Sequence, residues 1–310
     1  MRTAFIETLF ELAKEDERIV LVTGDLGFGV VTTFMEQLPR QFVNAGVAEQ
    51  NMTGLAAGMA LSGKIAFTYS IANFPVLRCL EQIRNDVCYH NANVRVVSVG
   101  GGMCYGALGI SHHATEDLAI MRSLPNLLVV APGDPVEARL ATRALIEHDG
   151  PAYLRLGRAG EPEVHQSQPE FQLGKAIKVR EGRDITLIST GGQLYDSMRA
   201  AEELAEMGIE ARVLSMHTLK PLDTEAVLAA ARETSAIFTV EEHSVLGGLG
   251  GAVAEVLMES DVRPQYFKRI GLNSTFSSIV GDQDYLRAKY GLDKTGIVKS
   301  VRSVLVESFA

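Results

Sequence analysis

Short apolar runs alternate with longer stretches of helical period along the whole chain, a pattern that predicts parallel α/β sheets. In the first half, Ile19–Thr23, Phe42–Ala45, Ile65–Tyr69, Val94–Val99, Leu127–Ala131 and Ala152–Leu156 read as strands. Helical periods fall between them, from about Ala48 to Leu61, from Phe74 to Asn91, and from near Ala114 onward. The opening MRTAFIETLFELAKEDERIV has acids interrupting every apolar stretch, which is the pattern of an amphipathic helix rather than a signal peptide. Asp134-Pro135-Val136-Glu137 is a helix start, with Asp as N-cap, Pro in the first position and Glu in the third. From Gly160 to Leu173 the apolar period lapses around Pro162 and Pro169, so a linker is placed at 163–174. That divides the chain into units 1–162 and 175–310. The second unit repeats the alternation, with strands Ile185–Ser189, Ala211–Met216, Ala236–Val240 and Tyr266–Ile270. Its helices are expected near Leu194–Met207, Thr224–Thr234 and Gly250–Glu259, with Gly208 as a C-terminal cap.

Composition narrows the function classes. With 310 residues, 46% of them apolar and 22% charged, the chain has room for two buried cores. A net charge of −9 argues against a general nucleic-acid or anionic-membrane surface, although a local arginine cluster still accepts an anion. No apolar run reaches membrane-spanning length. Cys79, Cys88 and Cys104 lack metal-ligand spacing and read as reduced thiols of a cytoplasmic protein.

Four groups of residues carry candidate chemistry. Glu49 opens a helix otherwise made of Gly, Ala and Met, within Gly46-Val47-Ala48-Glu49-Gln50-Asn51-Met52. An acid in the first turn suits the helix dipole on its own. Gly54 and Gly58 would also let another helix approach closely, and an interface there would bury the carboxyl and favour its protonated form. His112 and His113 follow a glycine-rich turn, where they serve either as exposed helix-start residues or as imidazoles facing a cleft. Phe67, Tyr69 and Phe74 are either core or a stacking wall for a flat heterocycle. Arg158 and Arg155 at a strand end, with Arg2, are surface charges or a bidentate anion site. Neither a G-x-G-x-x-G fingerprint in the right context nor a Walker loop is present.

The order GDLG, GVAEQNM, then GALGISHHATEDLAIMRSLPNLLVVAPGDPVEA resembles the pyrimidine domain of transketolases. LISTGGQ, HTLKPLD and FTVEEHSVLGGLGG resemble their C-terminal domain, so the resemblance covers essentially the whole chain. It implies an α/β fold of two domains: a thiamine-diphosphate-binding pyrimidine-type domain with a parallel sheet, then a transketolase C-terminal-like domain. It also implies that Glu49 hydrogen-bonds the cofactor's aminopyrimidine, with Phe67, Tyr69 and Phe74 in the aromatic wall around that ring. His112 would contact substrate near the reacting carbons, Arg158 and Arg2 would take a substrate phosphate, and Asp25 of GDLG would line the cleft. The family's diphosphate domain, with its GDG motif and partner Asn holding Mg2+, has no counterpart here. Half the site is therefore expected from an N-terminal diphosphate-binding subunit in an α2β2 assembly. Two departures point to a modified sugar substrate: Gly100 stands where the family has a histidine, and Gly106-Ala107-Leu108-Gly109 lacks the family's acid. The expected activity is transfer of a two-carbon ketol unit. Alternatives are the beta subunit of a 2-oxoacid dehydrogenase and a non-catalytic assembly subunit.

Overall fold

Two sheets organise the chain, and every strand expected from the sequence lies in one of them. The structure is a computed structural model and describes residues 1–307. The first sheet is built from β1 (Ile19–Thr23), β2 (Phe42–Asn44), β3 (Ile65–Ile71), β4 (Val94–Val99), β5 (Leu128–Val130) and β6 (Ala152–Leu156). β7 (Ile177–Arg180), β8 (Ile185–Ser189) and β9 (Ala211–Ser215) begin the second. β10 (Thr218–Lys220) crosses back to the first sheet, and β11 (Ala236–Ser244) and β12 (Tyr266–Leu272) complete the second. The strand orders are β10-β5-β6-β4-β3-β1-β2 and β12-β11-β8-β9-β7. All pairs are parallel except β10 on β5 and β7 on β9. The two antiparallel edge strands escape sequence reading because neither TLK nor IKVR carries an apolar run of more than one residue.

Alternation along each strand feeds two cores. Leu21, Phe67, Tyr69, Val97 and Leu154 face helices Arg2–Glu15 and Pro135–Glu147. Val20, Val22, Ala66 and Val96 face the other way, onto helix Glu49–Leu61 through Met52, Ala56 and Ala57. That second core continues without a break into Leu214, Leu219, Val227 and Leu249 of the C-terminal unit. Burial across the junction therefore fixes the two units against each other. A third core, with Leu187, Val213 and Phe238 against Leu194, Leu204, Ile297 and Val301, lies within the second unit.

Two predicted helices are altered by tertiary contacts. The one expected near Ala114 begins at Asp117, because Ala114 exchanges two backbone bonds of 2.8 Å with Gly102 and so belongs to the loop. The stretch Phe74–Asn91 is broken into Phe74–Leu77, Leu80–Gln82 and a π-helical turn at Ile83–Cys88. There the ladder lengthens, with the Tyr89 amide donating to the Arg84 carbonyl, a spacing that a 3.6-residue period does not register.

The helix start at Asp134 forms as its residues require and also anchors the linker. One Asp134 oxygen accepts from the Glu137 amide at 2.8 Å, and the other accepts from the Val164 and His165 amides at 2.8 and 3.1 Å. Glu137 is buried, accepting from the Gly133 amide at 2.6 Å and the Ser215 hydroxyl at 3.0 Å, and pairing with His165 Nε2 at 2.8 Å. Burial opposes a charge on His165, but the hydrogen bond and charge of Glu137 outweigh it and hold the imidazole above its usual value. Burial likewise penalises Glu137, yet the bonds from His165, Gly133 and Ser215 bring its carboxyl below the usual range. The His165 contribution to stability is complete below the unfolded imidazole value, about 6.5, and is lost as pH rises through the folded value. The Glu137 contribution is present above the unfolded carboxyl value, about 4.3, and is lost as pH falls through its folded value. Replacing His165 by Asn is expected to cost more stability at about pH 6 than at about pH 9 in urea titrations. Equal costs at the two pH values would show that the pair contributes nothing through charge.

Candidate active site

β1, β3, β4 and β6 are parallel neighbours, so the loops leaving their carboxyl ends open along one edge of the sheet. Those loops carry, in turn, Asp25, then Phe74 and Arg78, then Tyr105 and His112, then Arg158. β2 leads through Ala45–Ala48 into the helix headed by Glu49. Glu49 meets Arg78, and Phe74 meets His112, for this reason.

The Glu49 side chain is only 2% exposed, and its carboxylate meets Arg78 Nη1 at 2.5 Å. Arg78 is 47% exposed and lies over the Phe74 ring, 5.0 Å from its centroid. Phe74 in turn meets the His112 ring edge-on at 5.3 Å, and Tyr105 meets His112 at 6.0 Å. Glu49, Arg78, Phe74, His112 and Tyr105 thus form one line of contacts along the edge. The Ser111 hydroxyl pairs with His112 Nδ1 at 2.9 Å. His113 is buried, with Nε2 on the Gly106 carbonyl at 3.0 Å and its backbone carbonyl accepting from the Asn73 amide group, which makes it a structural residue.

The chain itself buries Glu49, although the sequence suggested that a second helix would do so. Gly54 and Gly58 face open space, with Val47, Leu55 and Leu61 exposed around them. The aromatic wall also needs correction. Phe67 and Tyr69 are buried on the opposite face, Phe67 at 6.0 Å from Phe5 and Tyr69 stacked on Phe5 at 6.3 Å. Strand alternation turns both away from Glu49, leaving Phe74, under the Arg78 guanidinium that pairs with Glu49, as the aromatic ring of the edge. Asp25 is exposed at the end of β1, in the left-handed region at φ 54°, with its carboxylate accepting from Asn44 at 2.9 Å. Arg158 is exposed, and its carbonyl accepts the Arg2 amide at 3.1 Å, so the two arginines share one end of the edge. Arg155 is buried and structural, donating to Asp117 at 2.8 Å and to the carbonyls of Ala114 and Glu242 at 2.8 and 3.0 Å.

The loop bearing Tyr105 and His112 is held by the second unit. Glu242, near the end of β11 and 4% exposed, accepts the Met103 amide at 2.6 Å. The same carboxylate takes Arg287 Nε at 2.8 Å and Gln283 Nε2 at 2.9 Å. Gly102, at φ +69°, has no room for a side chain: its Cβ would lie 2.6 Å from Glu242 Cδ. Burial opposes the Arg287 charge, but Glu242 and Asp196 outweigh it and hold the guanidinium above its usual value. Sequence reading passed over Arg78, Tyr105 and Glu242. The paired acids of VEEH were the one visible signal, since charges ending an apolar strand need partners if they are buried.

This architecture is that of a two-domain α/β subunit with a ligand edge on its first sheet, and comparison places it in a family. Residues 1–161 match the pyrimidine-binding domain of transketolase, and residues 174–297 match the transketolase C-terminal domain. The chain belongs to the transketolase family, and it is a subunit of the split, transketolase-type kind. It is 43% identical over 301 residues to an apulose-4-phosphate transketolase subunit of Phocaeicola vulgatus, covering 96% of this chain and 95% of that protein. It is 41% identical over 305 residues to the 6-deoxy-6-sulfo-D-fructose transketolase subunit SqwH of Clostridium sp., covering 98% and 94%. Among solved structures, a split gene transketolase, an inactive beta4 tetramer, superposes with a TM-score of 0.88 at 39% identity, covering 98% of this chain and 97% of that one.

Proposed function

We propose that this chain supplies the pyrimidine half of a thiamine-diphosphate site and, with a separate diphosphate-binding subunit, transfers a two-carbon ketol unit from a ketose to an aldose acceptor. The observation that carries this reading is the buried Glu49 carboxylate at the sheet's ligand edge, paired with a half-exposed arginine that lies over the Phe74 ring. These residues fit a flat heterocycle with a hydrogen-bonding edge: Glu49 is the acid for that edge and Phe74 the apolar face. When bound, thiamine diphosphate supplies the carbanion chemistry.

The chain's own residues then divide the remaining work. Glu49 holds the aminopyrimidine and its proton, with Arg78 able to swing away because half of it is in solvent. His112, half-buried between Phe74 and Tyr105, faces the substrate and moves a proton at its reacting oxygen. Arg158 and Arg2 take an anionic tail, and Asp25 takes a hydroxyl. The names of the two relatives fit that tail, since one sugar carries a phosphate and the other a sulfonate.

A partner is supported by the apolar residues left exposed around the edge: Phe28, Val47, Leu108 and Ile110 in the site loops, Leu55 and Leu61 along the Glu49 helix. The solved split-gene relative, inactive as a beta4 tetramer, supports the same need. We assign the diphosphate and Mg2+ to that partner, in an α2β2 assembly in the cytoplasm. No described helix is long and apolar enough to cross a membrane. The test is co-purification with a candidate diphosphate-binding subunit, followed by a ketose-cleavage assay with and without thiamine diphosphate. Turnover is expected only from the complex and only with cofactor; a stable complex that binds no cofactor would refute the reading.

A further inference from the structure

The backbone at Gly100 is held by two bonds into β6, the Gly100 and Gly101 amides donating to the Leu156 carbonyl at 2.9 and 3.0 Å. Its φ is +88°, and a Cβ built there would lie 2.1 Å from Tyr105 Cε2 and 2.5 Å from Cδ2. The Tyr105 ring therefore occupies the volume that any side chain at position 100 would take, and the fixed backbone cannot move aside. The ring is also held from both chain directions. On one side Met103 is tied to Glu242 at 2.6 Å. On the other, Gly106 is pressed so closely on the second unit that a Cβ there would lie 2.3 Å from the Gly281 carbonyl oxygen.

A ring wedged this way would suffice as packing if its hydroxyl were buried or bonded. It is neither: Tyr105 is half-buried, and its hydroxyl has no hydrogen-bond partner among the described residues. The ring meets His112 edge-on at 6.0 Å, and the Arg2 and Arg158 charges act on the phenol. Burial pushes the phenol up, against the pull of the Arg2 charge, so the group remains a neutral donor at ordinary pH.

We propose that Tyr105 is a substrate-binding residue of this cleft, its hydroxyl donating to an oxygen of the sugar segment that runs between His112 and the Arg2–Arg158 pair. Gly100 and Tyr105 then act as one position: glycine is required so that the phenol, reaching in from five residues away, can present a polar group where the strand end presents none. This rests on the transfer reading above only for the identity of the sugar. The ligand class is a polyhydroxylated ketose or aldose with a phosphate or sulfonate tail, read by one phenol, one imidazole and two guanidinium groups.

The test compares wild type with Tyr105→Phe in the assembled complex, by steady-state kinetics on ketose phosphates and by calorimetric binding of fructose 6-phosphate. Phe keeps the ring and its packing and removes only the donor. Expected is a loss of roughly tenfold or more in kcat/KM, with the thiamine diphosphate activation curve unmoved. If wild type binds the sugar phosphate without turning it over and Tyr105→Phe weakens binding, the Tyr105 assignment stands and the transfer reading falls. If Tyr105→Phe matches wild type in both assays, the assignment is overturned while the transfer reading survives. If wild type neither binds nor turns over any sugar phosphate, both fall. The niche is tested by melting temperature: Gly100→Ala is expected to destabilise, and Gly100→Ala with Tyr105→Ala to recover part of the loss without recovering activity. A Gly100→Ala protein as stable as wild type would overturn the shared-position argument.

Discussion

Glu49→Gln is expected to lower kcat of the assembled complex by roughly 10²–10⁴-fold, the range set by loss of a positioned acid–base group. The substitution is close to isosteric, so helix Glu49–Leu61 keeps its place and the packing of Met52, Ala56 and Ala57 is unaffected. Glutamine cannot hold the proton of a bound heterocycle, and it removes the negative charge that meets Arg78. The fold should tolerate that loss, because Arg78 is half in solvent and regains water. Activity and melting temperature measured on the same preparation separate the two effects. A variant with near-normal kcat would reduce Glu49 to a first-turn acid that complements a helix dipole, the bland alternative its sequence position also allowed. A variant that fails to assemble with its partner would instead make Glu49 a structural residue of the interface.

Glu242→Ala is expected to destabilise the chain by about 3–5 kcal/mol, the usual cost of breaking a buried charge pair from one side. The reasons are local and countable. Met103 loses the acceptor for its amide, Gln283 loses its partner, and Arg287 is left with Asp196 at 3.2 Å as its remaining acid. The loop from Gly100 to His112 would then lose its Met103 tie to the second unit, so activity should fall further than the folded fraction does. Urea unfolding with the slope reported alongside the midpoint is the measurement. Glu242→Gln, which keeps one acceptor oxygen for Met103 but not the charge, is expected to fall between wild type and alanine. A cost below about 1 kcal/mol for Glu242→Ala would mean that the two units hold the loop by apolar burial alone.

Both predictions concern acids whose importance was unequally visible in the sequence. Glu49 stood out because it opens a helix of small apolar residues, a context in which a charge invites explanation. Glu242 did not, because its worth depends on Arg287 and Gln283, more than forty residues later and on a helix, Gln283–Tyr290, that the apolar period did not reveal. The aromatic cluster shows the same divide. Phe67 and Tyr69 were legible as aromatics at a strand end, but which face of the sheet they occupied was settled by the strand's register against β1 and β4.

The sequence by itself determined the parallel strands, most helices, the N-cap at Asp134 and the family, because period, turn chemistry and motif order are local properties written in neighbouring residues. Tertiary structure alone decided that Arg78 covers Glu49, that Tyr105 fills the space of Gly100, and that Glu242 holds the site loop from the other unit. Each of these joins residues whose proximity comes from sheet order and from the shared core between the two units. Local pattern carries no record of which distant side chain will arrive at a given strand end.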